Sequence, residues 1–477
     1  MRAEFFAAFV VFLLLILLVN LIFRKRARTP EDFFFAPGGL RAPLIALSIS
    51  AAWFGATSIL VTSDEACRRG ISAFWIVGMP AVLTILVLLI LAGKAARIPA
   101  LTLPQLAEVR YGRIVRHIVS FLIYWYMIVF AASQLVALGG FLGTFLSIPY
   151  ILGLAAAAAV VCLYAAAGGL FSVVVTECLQ FFLLLAGMAG LAVFLAGRTN
   201  FFEVSAAAVR QGAAGYFDFL AGGRRDIWTC LSFLLAWAIS PVAWQRIRAA
   251  RSVRAARSGL LAVLPIFLLL YGLILMVGMF SLPVLSAPPA QGPVLSELIA
   301  TRAGPVLGAL IFMAVLAAVV STLDAGINTG AMTLARDIVP ALRPGLGGSV
   351  ALSRLATVLT MALAFLVATR FTSILRTIGL ASEIMAEGLF LPGAAMFLLK
   401  RRLPAAGLLS LSCGGGFALA SFLNETGVWF PGLPSWPFTL PYGLGLSAAG
   451  FVLGAAYEII RTRKSRTTAL PKGMLLS

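Results

Sequence analysis

Between Leu316 and Asp324 the chain places Ala317, Ala318, Ser321, Thr322 and then a full carboxylate inside an otherwise apolar run from Pro305 to Ala335. Paired hydroxyls beside a carboxylate suit a small hard cation. An ionisable side chain at membrane depth is a functional-site hypothesis by default. The plainer use of Ser and Thr is to return hydrogen bonds to carbonyls one turn back, with Asp324 as a structural cap or pair. The carboxylate tilts the reading toward ion binding. Other acidic residues fall in apolar runs: Glu177, for which a wet place near the cytoplasmic interface is the plainer reading, and Glu383 with Glu387, four apart on one helix side and preceded by Arg376. That last pair suits gating or substrate selection, or a neutralising ion-pair network. His117 follows Arg113 and Arg116 and is expected to be solvated.

The elements that must position these residues are membrane helices. The chain has 477 residues, of which 61% are hydrophobic and 11% charged, and it repeats apolar stretches of the length a bilayer span requires. Hydropathy gives thirteen spans, at 5–23, 43–66, 71–93, 115–146, 149–167, 171–197, 227–248, 259–286, 304–335, 350–369, 372–399, 404–423 and 439–460. A net charge of +19 would suggest nucleic acid in a soluble protein, but 26 of the 36 Lys and Arg gather in alternate loops and the tail. The positive-inside rule then puts the N-terminus outside and the C-terminus in the cytoplasm of a multi-pass plasma (inner) membrane protein, with lipid and no nucleic acid as partner. The first apolar run is too long for a signal-peptide core, lacks a small-x-small cleavage site and reads as an uncleaved span. The five cysteines show neither metal spacing nor a disulfide framework.

Two spans look broken. The second runs PLIALSISAAWFGATSILV, with Gly55 flanked by Ser50, Thr57 and Ser58; the seventh runs WTCLSFLLAWAISPVAWQR, with Ser240 and Pro241 past its centre. Proline removes a hydrogen bond and frees a carbonyl, and interrupted helices at corresponding places in two halves point to a transporter binding site. Spans two and seven are five apart, the spacing of an inverted five-helix repeat. The expected organisation is one all-α transmembrane transporter domain over 1–477, with repeats at about 43–197 and 227–399 and extra helices at 5–23, 404–423 and 439–460.

Four segments, Thr29–Ala36 (TPEDFFFA), Leu101–Gly112 (LTLPQLAEVRYG), Gly168–Gln180 (GGLFSVVVTECLQ) and Ala317–Ile338 (AAVVSTLDAGINTGAMTLARDI), together resemble the sodium:solute symporter family, whose members carry proline, sugars, iodide or sialic acid. The resemblance implies a LeuT-like fold in spans 2–11 and sodium as the transported coupling ion. It implies a sodium site from the carbonyls of Ala51, Phe54 and Ala318 and the hydroxyls of Ser321 and Thr322. It assigns the solute to Phe233, Trp237 and Pro241 of span seven, positions i, i+4 and i+8 along one helix side, faced by Thr57 and Ser58 of span two. Packed as in the family, Glu177 and Asp324 would approach each other and need a second cation or a proton between them. The chain departs from proline-carrying relatives at Trp53, where they place an acidic residue.

These residues lead to secondary active import of a small polar organic solute with sodium by alternating access. The alternatives are proton coupling through Glu177 and Asp324, or a transporter-like sensor working with a separate kinase partner. An enzyme is not expected, since no phosphate-cradling GxxxxGK[ST] loop appears and the stretches outside the spans are too short for a soluble core. No side chain in the solute face dictates which solute is carried. Reporter tags after Phe23, Gly93 and Ser477, each beside a basic cluster, should all read out in the cytoplasm; an external signal at the tail would mean a miscounted span.

Overall fold

The computed structural model describes residues 3–23, 29–35, 39–95, 100, 102–213, 215–289, 292–343, 345, 349–399, 401–427 and 432–464. The basic cluster at 24–28 and the tail beyond 464, both used above to orient the chain, lie outside the described residues. Lipid offers no hydrogen-bond partners, so long apolar segments must satisfy their backbone as helices. The described residues accordingly contain α-helices and no strand; the one β-bridge, Leu40 with Ala250, pins a loop.

In chain order the helices are α1 (Ala3–Phe23), α2 (Pro30–Phe35), α3 (Ala42–Trp53), α4 (Thr62–Arg69), α5 (Gly78–Ala95), α6 (Leu103–Tyr111), α7 (Arg113–Leu146), α8 (Tyr150–Ala196), α9 (Phe201–Arg210) and α10 (Phe219–Ala238). They continue as α11 (Pro241–Arg248), α12 (Val253–Leu285), α13 (Val294–Thr301), α14 (Pro305–Thr333), α15 (Val339–Leu342), α16 (Val350–Ala368), α17 (Ile374–Glu383), α18 (Phe390–Leu398), α19 (Pro404–Glu425) and α20 (Leu440–Lys464).

Ten helical stretches among the described residues are long and apolar enough to cross a bilayer, not the thirteen that hydropathy suggests. The difference lies in the joins. Thr57–Lys94 is counted as one stretch although the chain turns at Gly70, whose φ is 69°, Ala42–Trp53 is a short helix of 12 residues, the two halves of α8 are counted together, and the α17–α18 segment is interrupted by a π-helical stretch over Ile384–Leu389. α8 covers 47 residues as two helices joined across a kink, each about as long at the helical rise as a hydrocarbon core of roughly 30 Å. It turns within its length at Gly169, whose φ of 67° and ψ of 179° belong to a region that side chains other than hydrogen avoid.

One continuous cluster of buried apolar side chains extends from Phe5 to Leu440, while large apolar residues also face outward, as lipid permits. α1 shows both faces: Phe5, Ala8, Phe12, Ile16 and Asn20 are buried at helical spacing, and Leu14, Leu18 and Ile22 are more than half exposed. The buried Asn20 donates to the carbonyl of Tyr164 at 2.8 Å and so ties α1 to α8.

Three of the four motifs of the sequence, those at Thr29–Ala36, Leu101–Gly112 and Ala317–Ile338, meet one another. Thr102, capping α6, donates to the buried Asp337 at 2.8 Å. Arg336, beside it, pairs with Glu31 of α2 at 2.7 Å, and that guanidinium holds the Glu31 carboxyl below the usual carboxylate range. Phe33 and Phe34 of α2 pack on Ala331, Met332 and Ala335, and the Phe34 carbonyl accepts from Gln245 of α11 at 2.8 Å.

Gly169→Ala should lower the unfolding temperature of purified protein, because a Cβ at that φ costs about 1–3 kcal/mol. Gly140→Ala, where nothing stands within 4 Å of an added methyl, is the control and should be nearly silent.

Candidate functional site

The second segment breaks because its helix stops at Trp53. Phe54 leaves helical geometry with ψ at 62°, and a π-helical turn resumes over Thr57–Val61. The interruption is held from two other helices. Gln134 of α7 accepts the Ala56 N–H on its Oε1 at 2.9 Å and donates through Nε2 to Ser133 Oγ at 2.9 Å. A methyl at Gly55 would stand 2.5 Å from that Oε1 and 2.7 Å from Thr322 Oγ1, so only glycine allows this approach.

From α14, Ser321 Oγ donates toward the Ala51 carbonyl at 2.9 Å and the Ala318 carbonyl at 2.9 Å. Thr322 Oγ1 reaches the same two oxygens at 3.4 Å and 3.1 Å. The bonds to Ala318 are the local back-bonding that Ser and Thr adopt in any helix. The bonds to Ala51 cross between helices. Four oxygens of two helices thus meet in a place where all four residues are buried, and their type matches what a small alkali cation accepts. Phe54 lies at the break, with its ring against Phe267 and Tyr271 at 5.1 and 4.7 Å.

Glu177 and Asp324 are both fully buried, on α8 and α14, yet no hydrogen bond joins them among the described residues. Each has its own partner. Glu177 pairs with Arg246 of α11 at 2.5 Å and accepts from Ser48 of α3, which in turn accepts from Arg246 Nε at 3.1 Å. The positive charge beside Glu177 is therefore a residue of the protein. Arg246 stands at the head of a basic run, 246–257, which conceals it in the sequence; among the described residues it is the largest fully buried side chain. Next to it Gln245 donates to Asn328 at 2.8 Å and accepts from Thr329 at 3.0 Å, both of α14. Asp324 accepts from the Tyr164 hydroxyl at 2.5 Å on Oδ2, while its Oδ1 has no hydrogen-bond partner among the described residues.

The seventh segment breaks at Ile239, and Pro241 starts α11 as the first helical residue, where its missing N–H costs nothing. Trp237 stacks on Phe233 with centroids 4.8 Å apart and planes 9° apart, and meets Trp53 edge-on at 5.7 Å. A cavity of about 30 Å³ lies between the two broken segments, lined by Ala52, Trp53, Tyr126, Phe130, Trp237, Ser240 and Val242.

Of the solute residues named from sequence, Trp237 lines this cavity. Phe233 stands behind it, and the neighbours of Pro241, not Pro241 itself, form the wall. Ser58 is engaged elsewhere, with the Trp53 carbonyl at 3.0 Å and the Tyr271 hydroxyl at 3.1 Å. Thr57 is buried, and among the described residues neither its hydroxyl nor the Trp53 indole N–H has a hydrogen-bond partner. Tyr126 and Phe130, four apart on α7, and Gln134 one turn further form a single stripe that sequence reasoning missed. An amide within the apolar run of α7 was the signal available.

The geometry has counterparts among known proteins. The model of the sodium:solute symporter family matches residues 33–409. A "Sodium/glucose cotransporter" of Vibrio parahaemolyticus is 27% identical over 421 residues, covering 78% of this chain and 75% of the relative. The solved substrate-bound, outward-open structure of a Na+-coupled sialic acid symporter superposes with a TM-score of 0.79 at 18% identity, over 95% of this chain and 97% of that one. Its fold, all-helical and LeuT-like, is the fold seen here. With four fifths of its length matched by one family model, the chain belongs to the sodium:solute symporter family.

Proposed function

We propose that the protein imports a small polar organic solute together with sodium by alternating access, as a multi-pass carrier of the plasma membrane with its N-terminus outside. The observation that carries this reading is the pair of hydroxyls, Ser321 and Thr322, aimed across the helix break at the Ala51 carbonyl. A sodium ion would take the carbonyls of Ala51, Phe54 and Ala318 and these two hydroxyls. An unwound helix offers carbonyls that a regular one keeps for itself. The family and the two named relatives, a sodium/glucose cotransporter and a Na+-coupled sialic acid symporter, support sodium as the coupling ion.

The solute would occupy the gap between the broken segments, against Trp53, Tyr126 and Trp237, with Thr57 as a hydrogen-bonding group at its edge. At about 30 Å³ the gap is far smaller than the roughly 300–1,000 Å³ of ligand pockets. Solute binding would therefore require Trp237 and its neighbours to move. The core would consist of repeats at about 43–197 and 227–399, with α1, α19 and α20 as additions. Asp324 carries the second reading, a proton or further cation: one of its oxygens is held by Tyr164 and the other has no hydrogen-bond partner among the described residues.

Ser321→Ala or Thr322→Ala should weaken apparent sodium affinity about 10- to 100-fold, a loss of roughly 1.4–2.8 kcal/mol, while Thr322→Ser should be far milder. Sodium-dependent thermal stabilisation of purified protein measures this without a known solute; unchanged sodium dependence in folded variants would refute the site. Trp237→Ala should weaken stabilisation by solutes found in a screened panel and leave sodium stabilisation intact. Loss of both effects would show that the two sites are not separate. Asp324→Asn should change the number of charges moved per solute in proteoliposome currents if Asp324 holds a cation or a proton, and leave it unchanged if its role is structural.

A further inference from the structure

A second group of buried carboxylates lies outside the broken segments. Where α17 meets α18, Glu383 precedes and Glu387 lies within the π-helical stretch over Ile384–Leu389. The wider i→i+5 winding keeps residues four apart on nearly one side, and such turns recur at functional sites. Both side chains are fully shielded from solvent. Glu383 accepts from Ser421 of α19 at 3.2 Å and from Thr439, the residue before α20.

Glu387 is unlike its neighbour, because among the described residues neither of its carboxylate oxygens has a hydrogen-bond partner. Room for it is built into both flanking helices. A methyl on Gly443 of α20 would stand 2.3 Å from Glu387 Oε2, and one on Gly414 of α19 would stand 2.1 Å from its backbone carbonyl. The carboxylate therefore reaches the α19–α20 seam because glycines admit it.

No basic group among the described residues bonds to either carboxylate. On the helices packed against this stretch, Arg376 of α17 is taken by Glu425 of α19 and Arg116 at the start of α7 by Glu108. Arg224 and Arg225 of α10 are taken by Asp218 and Asp226. Glu458 and Arg461 belong to the far end of α20, and α18 carries no charge. Two carboxylates this deep do not both stay ionised without positive charge between them. A surface cavity of about 630 Å³, lined by Arg370, Ser373, Arg376, Glu425 and Thr426 among others, lies at the last turn of α19, one turn from Ser421.

We infer that Glu383 and Glu387, with the hydroxyls of Ser421 and Thr439, form a monovalent-cation site at the seam of α17–α18, α19 and α20, separate from the Ala51–Thr322 oxygens. Its occupant carries one positive charge, as a sodium ion or a proton. The test uses the full chain in lipid nanodiscs with Ser321→Ala present to weaken the first site. Equilibrium binding of radiolabelled sodium and proton uptake after a pH step are then compared with and without Glu387→Gln. Loss of a sodium-binding event, or a fall in its affinity of roughly tenfold or more, identifies sodium; loss of proton uptake with sodium binding unchanged identifies the proton. Either result upholds the site. Gly443→Ala, which keeps both carboxylates but crowds Glu387, should weaken the same event and stands in if Glu387→Gln does not fold. Folded variants that bind sodium and take up protons as their parent does would overturn the inference.

Discussion

A helix broken inside a membrane must find partners for its loose backbone groups within the protein, and most of this structure follows from how that is done at Phe54–Ala56. An unsatisfied amide or carbonyl in hydrocarbon costs several kcal/mol. Here α7 supplies an acceptor through Gln134 and α14 supplies donors through Ser321 and Thr322. The same contacts that repair the break bring carbonyl and hydroxyl oxygens of two helices together. Ion-binding chemistry and helix packing are therefore one arrangement.

The buried Arg246–Glu177 pair solves a related problem on the other broken segment. α11 is a helix of 8 residues, too short to hold its place by itself. Arg246 anchors it to α3 and α8, and Gln245 anchors it to α2 and α14. Burying such a pair yields little net stability, because desolvation offsets much of the attraction, whereas removing one partner strands a charge. Its value is positional. It holds the helix that follows Pro241 in register with the helix that precedes Trp53, so the aromatic walls on both sides of the small cavity face each other.

The three helices at the C-terminal end follow a different logic. α19 and α20 pack through glycines, which brings backbone close to the π-helical turn of the preceding segment. Close approach of this kind is the usual basis of helix association in lipid, where apolar side chains gain nothing by leaving the solvent. It also gives the Glu387 carboxylate a place between helices, where it is shielded from lipid.

The sequence by itself determined the membrane class, the family, the two broken segments and the Ser321–Thr322 pair on one helix. These are properties of apolar period, of glycine and proline at particular places, and of short motifs, all of which act over a few residues. It also marked Gly168–Gly169 as a boundary between spans, and there the backbone of α8 does turn. Only the tertiary structure decided what each polar side chain meets. It gave Glu177 an arginine instead of Asp324, paired Asp324 with Tyr164, turned Ser58 toward Tyr271 and brought Gln134 to the Ala56 amide. Those partners lie tens to hundreds of residues away in the chain. Which of them a buried charge meets depends on helix rotation and depth, because the low-dielectric interior penalises every unpaired group and the packing that pairs them is fixed by all the helices together.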